Sequence, residues 1–138
     1  MRILQKKDNL SYWPEVSLST AVIIALLEVI HFVIFSSEKF IVINSSVLFG
    51  SLGDNSASLF VSILFLILLV LLFTRKFFGS VPFMLIFSGA TVNILDRIFY
   101  GGSLDYFRVL GIPYFNLSDI CIVLGVAIFI AQAFKKVK

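Results

Sequence analysis

The chain has 138 residues, of which 59% are hydrophobic and only 14% are charged. Soluble domains average about 45–50% apolar and about 25% charged residues, and a domain this short buries only part of its surface. The composition therefore excludes an ordinary soluble domain and favours a membrane protein. The net charge of +3 is modest, and we expect no nucleic-acid partner. The single cysteine, Cys121, excludes an internal disulfide and is expected to be a packing residue.

Four apolar stretches follow one another along the chain, and each approaches the roughly 20 residues that a membrane-spanning helix needs. They cover approximately residues 18–35, 59–73, 81–99 and 120–134. The first stretch is followed by three more and has no small-residue cleavage pattern, so we predict a retained helix and not a cleaved signal peptide. The sequence thus predicts an all-α membrane protein with four transmembrane helices, in which residues 1–138 form one domain.

The basic residues are distributed unevenly around these stretches, and they predict the side of the membrane that each loop occupies. Eight of the eleven lie before the first stretch, between the second and third, or after the fourth: Arg2, Lys6, Lys7, Arg75, Lys76, Lys135, Lys136 and Lys138. Because cytoplasmic loops are enriched in Lys and Arg, we predict that both termini are cytoplasmic. The segments 36–57 and 100–118 are then extracytoplasmic.

The segment between the first two stretches has the pattern of short strands. Residues 40–43 and 47–49 are β-prone runs, and Ser, Asn and Gly residues bound them. We predict a small extracytoplasmic β hairpin or sheet between helices 1 and 2, which lies on the outer leaflet.

The end of the third stretch concentrates polar residues on one face. Gly89, Asn93 and then Asp96 or Arg97 follow one another at spacings of three and four, which place them on one side of a helix. Ionisable groups are costly in lipid, so this face is predicted to turn into the helix bundle. A structural interpretation is also open, in which Asp96 and Arg97 form an ion pair at the helix end.

Two further aspartates, Asp105 and Asp119, fall at the same predicted membrane boundary. A structural role is open here too, because Asn116 or Ser118 is a suitable N-cap and Asp119 complements the helix dipole. The sequence offers no Ser–His pairing, no histidine cluster for a metal and no phosphate-binding glycine loop. Paired carboxylates are the one catalytic arrangement that it supports. Two aspartates that share a proton supply one ionised base for water and one neutral acid for a scissile carbonyl.

The order of these motifs resembles the C-terminal signature of the lipoprotein signal peptidase (signal peptidase II) family. Residues 93–97 read Asn-Ile-Leu-Asp-Arg, and Asp105 follows nine residues after Asp96. Residues 115–119 read Phe-Asn-Leu-Ser-Asp and open the last helix. Residues 55–60, Asn-Ser-Ala-Ser-Leu-Phe, are similar to a further element of the family. Four helices with both termini inside also match.

The resemblance implies a membrane aspartic endopeptidase of the bacterial cytoplasmic membrane, with its active site at the extracytoplasmic face. It makes Asp105 and Asp119 the catalytic dyad. The residues that it implies in dyad support or substrate contact are Asn55, Asn93, Asp96, Arg97 and Asn116. The implied substrates are prolipoproteins, cleaved just before the cysteine that carries a diacylglyceryl group. We expect these signal peptides and membrane lipids as partners, a monomer, and neither a metal nor a cofactor.

Several positions depart from the family pattern. The first helix of the family carries Asp-x-x-x-Lys, whereas this chain has Glu28 and Phe32 at those positions. His31 lies on the same face as Glu28, so it either supplies the missing cation or makes a hydrogen bond within the bundle. Val92 stands in place of a glycine of the family pattern, and Ser118 in place of an alanine.

Two other functions are compatible with parts of this pattern. A non-catalytic protein of the same fold would bind lipidated peptides without cleaving them, and the missing lysine and glycine favour it. An ion or proton conductor would use Glu28, His31 and Asp96, but it leaves the order of the C-terminal motifs unexplained. Release of a signal peptide from a diacylglyceryl prolipoprotein distinguishes the peptidase from both.

Overall fold

A computed structural model describes residues 13–37, 41–45, 54–77 and 79–136. The helices are α1 (Trp13–Ser36), α2 (Asn55–Thr74), α3 (Ser80–Tyr100) and α4 (Leu117–Lys136), and the strands are β1 (Val42–Asn44) and β2 (Ser103–Asp105). All four helices are long and apolar enough to cross a membrane. The predicted fold class, four transmembrane helices with a small sheet, is confirmed.

The helices extend beyond the predicted stretches, because those stretches are bounded by apolar residues and leave out the polar residues at the helix ends. α2 begins at Asn55 rather than near Leu59, and Asp54 caps it by accepting a hydrogen bond from the Ala57 backbone N–H at 3.0 Å. At the end of α3, Gly101 has a φ of 78°. This left-handed conformation is available to glycine without a steric penalty and ends the helix there.

α3 is the central helix and packs against α1, α2 and α4. Of its membrane-spanning segment 56% is buried, compared with 17% or less for the other three helices. The other helices expose apolar side chains along their length, as helices that face lipid do. The buried side of α3 includes Gly89, Asn93 and Asp96, so the polar face predicted from their spacing does turn into the bundle.

Glycines bring α3 and α4 into close approach. A Cβ atom added at Gly89 would lie 2.3 Å from the Ser118 carbonyl oxygen, and one added at Gly125 would lie 2.6 Å from Ile86 Cγ1. Because real Cβ atoms do not approach other atoms so closely, larger residues would separate the two helices. The absence of a side chain at Gly89 thereby allows the start of α4 to lie close against α3, one helical turn from Asn93.

The sheet joins the two loops at one end of the bundle. β1 and β2 are antiparallel, with Val42 opposite Asp105 and Asn44 opposite Ser103. β1 thus comes from the β-prone region predicted between helices 1 and 2, but its partner β2 lies between α3 and α4. The second predicted run, residues 47–49, lies outside the described residues, so the hairpin pairing stays a prediction.

Candidate active site

The predicted site residues meet at one end of the bundle, where α3 ends and α2 and α4 begin. The opposite end carries the turn between α2 and α3, with Arg75 and Lys76. The last turns of α4 lie at that opposite end as well, since a Cβ atom at Gly79 would be 2.7 Å from Gln132 Oε1. The aspartates and the described basic residues of these turns therefore lie at opposite ends of the helices.

Asp119 is held in the first turn of α4 by a reciprocal pair of hydrogen bonds with Asn116. The Asn116 backbone N–H donates to Asp119 Oδ2 at 3.0 Å, and the Asp119 backbone N–H donates to Asn116 Oδ1 at 2.9 Å. This is the pattern of a capping box, in which two otherwise unpaired N–H groups are satisfied. Asn93 Nδ2 also donates to Asp119 Oδ1 at 2.8 Å. Capping and fixation of the Asp119 carboxylate are thus achieved by the same contacts.

Asp105 ends β2 and is buried, with 2% of its surface exposed. Its Oδ1 accepts hydrogen bonds from Asn116 Nδ2 at 3.1 Å and from Ser103 Oγ at 3.1 Å. Its Oδ2 accepts one from Asn44 Nδ2 at 3.1 Å. A buried carboxyl group needs such donors, and here β1, β2 and the start of α4 supply them.

Two side-chain amides connect the two carboxyl groups. Asn116 Nδ2 donates to Asn93 Oδ1 at 3.0 Å, so the amides contact each other. Asn93 also donates to Asp119, and Asn116 also donates to Asp105. The two aspartates, fourteen positions apart in the sequence, are therefore fixed by one continuous network from α3, β2 and α4.

The two aspartates differ in their electrostatic environment. Burial raises the pKa of Asp105 to about 6, and the negative charge of Asp119 adds to this, whereas the hydrogen bond from Asn44 and the charge of Arg97 lower it. Asp119 is less deeply buried than Asp105. Unequal burial makes Asp105 the carboxyl group that is better suited to hold a proton.

Asp96 contacts His31, with Asp96 Oδ2 3.0 Å from His31 Nδ1; the ion pair between Asp96 and Arg97 that the sequence suggested as a structural alternative stays a prediction. Asp96 Oδ2 also accepts a hydrogen bond from the Leu104 backbone N–H at 3.2 Å. Consecutive residues of a helix point about 100° apart. Asp96 consequently points toward α1, while Arg97 Nη1 donates to the Asn93 carbonyl oxygen at 3.0 Å.

Asn55 lies at the start of α2 and fastens it to the end of α3, because its Nδ2 donates to the Arg97 carbonyl oxygen at 3.1 Å. Its Oδ1 is buried and has no hydrogen-bond partner in the described part of the chain. The amide oxygen is thus available as an acceptor beside the site. Contact between Asn55 and a substrate stays a prediction.

A cavity of about 520 Å³ opens beside the aspartates. Asp105 and Asp119 contribute to its polar wall, and Ile120, Val123 and Leu124 of α4 contribute to its apolar wall. Val123 and Leu124 are also exposed on the outer surface of α4. The cavity therefore has an apolar wall that can hold an apolar chain and a polar wall that presents the two carboxyl groups.

A model of the signal peptidase (SPase) II family matches residues 16–135 of this chain. The chain belongs to this family. Its four apolar helices and its membership of this family indicate a multi-pass bacterial membrane protein.

Individual signal peptidase II proteins show the same likeness over shorter segments. The lipoprotein signal peptidase of Pasteurella multocida is 37% identical over 60 residues, which are 41% of this chain and 36% of that protein. The lipoprotein signal peptidase of Wolinella succinogenes is 38% identical over 77 residues, which are 52% of this chain and 53% of that protein. The chain thus aligns with about a third to a half of the length of these relatives.

The fold of this signal peptidase II family member is also similar to solved structures. A structure described as a bacterial membrane enzyme, determined at 1.9 Å resolution, has a TM-score of 0.70 and 25% sequence identity over 88% of this chain and 92% of that one. A second bacterial membrane enzyme structure, at 2.3 Å resolution, has a TM-score of 0.71 at 24% identity and supports the fold.

The sequence patterns do not predict two residues of the site in this family member. Asn44 and Ser103 both donate to Asp105, and they face each other across the sheet. Ser103 lies two residues before Asp105, so strand alternation would have placed both on one face of β2. No local signal would have found Asn44, because its role depends on the pairing of two loops.

Proposed function

We propose that this chain is a lipoprotein signal peptidase in which Asp105 and Asp119 form the catalytic dyad. The observation that carries the proposal is the joining of these two carboxyl groups by the Asn93 and Asn116 amides at the wall of a cavity that is also lined by apolar residues of α4. Family membership supports peptide hydrolysis as the chemistry. The name of these relatives, lipoprotein signal peptidase, supports lipoprotein precursors as the substrates.

The two aspartates have different roles in the proposed reaction. Asp119 is ionised and takes a proton from a water molecule, whose oxygen then bonds to the carbonyl carbon of the scissile peptide. Asp105 is protonated and donates its proton to the carbonyl oxygen as that oxygen becomes negative. The stronger burial of Asp105 and its raised pKa support this division.

Collapse of the tetrahedral intermediate completes the reaction. The carbonyl re-forms and returns its proton to Asp105, while Asp119 passes the proton taken from water to the leaving nitrogen. The C–N bond breaks, so the signal peptide leaves with a new carboxyl group and the lipidated cysteine has a free amine. The dyad ends in its starting protonation state, and neither a metal nor a cofactor takes part.

The proposed substrate is a prolipoprotein cut just before its diacylglyceryl cysteine. The apolar signal peptide and the lipid chains would both arrive from the bilayer, which fits a cavity whose apolar wall continues onto the exposed side of α4. With Arg75, Lys76 and Lys135 at the other end of the helices, the positive-inside rule supports an extracytoplasmic dyad and a cytoplasmic opposite end. We propose a monomer that works within membrane lipid.

The experiment that tests the proposal compares three variants in cleavage of a purified diacylglyceryl prolipoprotein, followed by gel shift. Asp105→Asn and Asp119→Asn should each abolish release of the signal peptide. Asp54→Asn is the matched control, because among the described residues the Asp54 side chain bonds to the first turn of α2 and asparagine caps a helix equally well. Undiminished cleavage by a folded Asp105→Asn protein would contradict the dyad. Binding of the prolipoprotein without cleavage by the wild type would favour the non-catalytic alternative.

A further inference from the structure

We propose that His31 is a positioning residue that sets the relative placement of the two catalytic aspartates. The inference rests on the proposed function. Its basis is that the imidazole of His31 connects, directly or through one side chain, to the residue that immediately precedes each aspartate. Only 1% of the His31 surface is exposed, and α1 carries it into the bundle between α3 and α4.

The first connection runs from His31 to Asp105. His31 Nδ1 lies 3.0 Å from Asp96 Oδ2, and the same oxygen accepts a hydrogen bond from the Leu104 backbone N–H at 3.2 Å. Leu104 directly precedes Asp105 in β2 and is itself buried. The carboxylate of Asp96 therefore fixes β2 to α3, and His31 fixes the carboxylate.

The second connection runs from His31 to Asp119. His31 Nε2 lies 3.4 Å from Ser118 Oγ, and Ser118 is fully buried directly before Asp119 in the first turn of α4. With a partner at each ring nitrogen, the imidazole has one preferred orientation. A planar ring with polar atoms on two sides suits such a bridge, whereas a lysine ammonium is a single charged point on a flexible stem.

Tyr106 also contacts the His31 ring and joins the same two segments. Its ring packs edge-on against His31, with centroids 5.5 Å apart at 88°. Its hydroxyl accepts a hydrogen bond from the Leu117 backbone N–H at 3.1 Å. Tyr106 follows Asp105 directly and Leu117 opens α4, so this contact ties the same two segments together.

The register of α1 explains why residue 31, and not residue 32, has this role. Phe32 is 63% exposed and points away from the bundle, although the family pattern places a lysine at the corresponding position. Glu28 is close enough to Asp96 and His31 to interact with both electrostatically. His31 is not among the described residues that line the cavity beside the dyad, so it acts through other residues and not on the substrate.

The test measures kcat and KM for prolipoprotein cleavage in lipid nanodiscs. His31→Phe should lower kcat by about 100-fold, the loss that misplacement of catalytic groups by about 1 Å produces. KM should stay within about twofold, because the cavity keeps its lining. His31→Gln keeps a donor and an acceptor, so its kcat should be at least about tenfold higher than that of His31→Phe. Thr20→Val is the control, since it removes another buried polar group of α1 far from the dyad and should leave kcat unchanged.

Non-additivity separates positioning from a general loss of stability. Ser118→Ala should lower kcat by about threefold in the wild type and by nothing further in His31→Phe, because the bridge is then already broken. An unchanged kcat in His31→Phe, a fully additive effect of Ser118→Ala, or losses that only follow the folded fraction would overturn the inference. Should His31→Phe fail to fold, Ser118→Ala alone carries the test: its kcat should fall by about threefold in fully folded protein, and an unchanged kcat would overturn the inference. A wild-type protein that does not cleave would instead refute the proposed function.

Discussion

Asn93 of α3 and Asn116 at the start of α4 meet amide to amide, with Asn116 Nδ2 3.0 Å from Asn93 Oδ1, and each also donates to one of the two aspartates. This contact joins the central helix to the last helix at the point where both carboxyl groups are held. The separation of the carboxyl groups therefore depends on how α3 and α4 pack together.

Replacing Asn93 should show how much the amide network contributes. Asn93→Ala removes the donor to Asp119 and the acceptor for Asn116, so we expect kcat to fall by about 100-fold. The free energy of unfolding should fall by about 1–3 kcal/mol, because buried polar groups lose their hydrogen-bond partners. Kinetics and thermal unfolding measure the two effects. Ser62→Ala, which deletes a hydroxyl bonded only within α2 among the described residues, is the control and should change neither; a kcat for Asn93→Ala within twofold of wild type would refute the role.

The two aspartates should behave as one catalytic unit. Neither carboxyl group is useful alone, since the base needs a neutral partner and the acid needs activated water. The Asp105→Asn/Asp119→Asn double variant should therefore have the same residual rate as either single variant. Single-turnover cleavage measures these rates. If the fold-reductions of the two single variants multiplied in the double variant, the two groups would act independently.

The raised pKa of Asp105 predicts the alkaline limb of the pH profile. The proposed reaction needs Asp105 protonated, so kcat/KM should fall as pH rises through about 6. The stability contribution has the same sign: a folded pKa above the ordinary value of 3.8 favours folding at low pH, and this contribution is lost as pH rises through about 6.

Asn44 provides a variant that should move this limb. Its hydrogen bond lowers the pKa of Asp105, so Asn44→Leu should shift the alkaline limb of kcat/KM to higher pH, by up to about one unit. Measurement of kcat/KM between about pH 4 and about pH 9, which includes the expected limb, shows the direction of the shift. If the limb moved to lower pH, the alkaline limb would not be caused by the titration of Asp105.

The close approach at Gly89 should be intolerant of even one methyl group. In Gly89→Ala the added carbon would lie 2.3 Å from the Ser118 carbonyl oxygen, so α4 must move away from Asn93. We expect a loss of stability of about 1–3 kcal/mol and a fall in kcat of at least about tenfold. Ile98→Ala, at an exposed position of the same helix, is the control. Wild-type activity in Gly89→Ala would show that α4 is positioned by other contacts.

Cysteine labelling in intact cells tests the proposed orientation. Leu110 is fully exposed in the loop between β2 and α4, and Phe77 is exposed in the turn between α2 and α3. In a Cys121→Ala background, a membrane-impermeant thiol reagent should label Leu110→Cys and leave Phe77→Cys unlabelled until the cells are opened. The reverse pattern would place the dyad on the cytoplasmic side.

The amino-acid sequence by itself determined the four helices and the order of the polar motifs. Helical stretches follow from apolar length, which is a local property, and the face with Gly89, Asn93 and Asp96 follows from the helical repeat. The sequence makes Asp105 and Asp119 candidates because both fall at one predicted membrane boundary and because their motifs resemble those of the signal peptidase II family. These features need no knowledge of which segments touch.

The tertiary structure alone decided which groups the polar residues meet. Asp96 pairs with His31, 65 positions earlier, and Asp105 accepts a hydrogen bond from Asn44, 61 positions earlier. A strand as short as β1 can pair with any free strand edge, and a buried carboxylate can choose among several donors, so local sequence does not fix either partner. The packing of α1 and α4 on α3 fixes them, because it decides which donors are buried beside which carboxyl group.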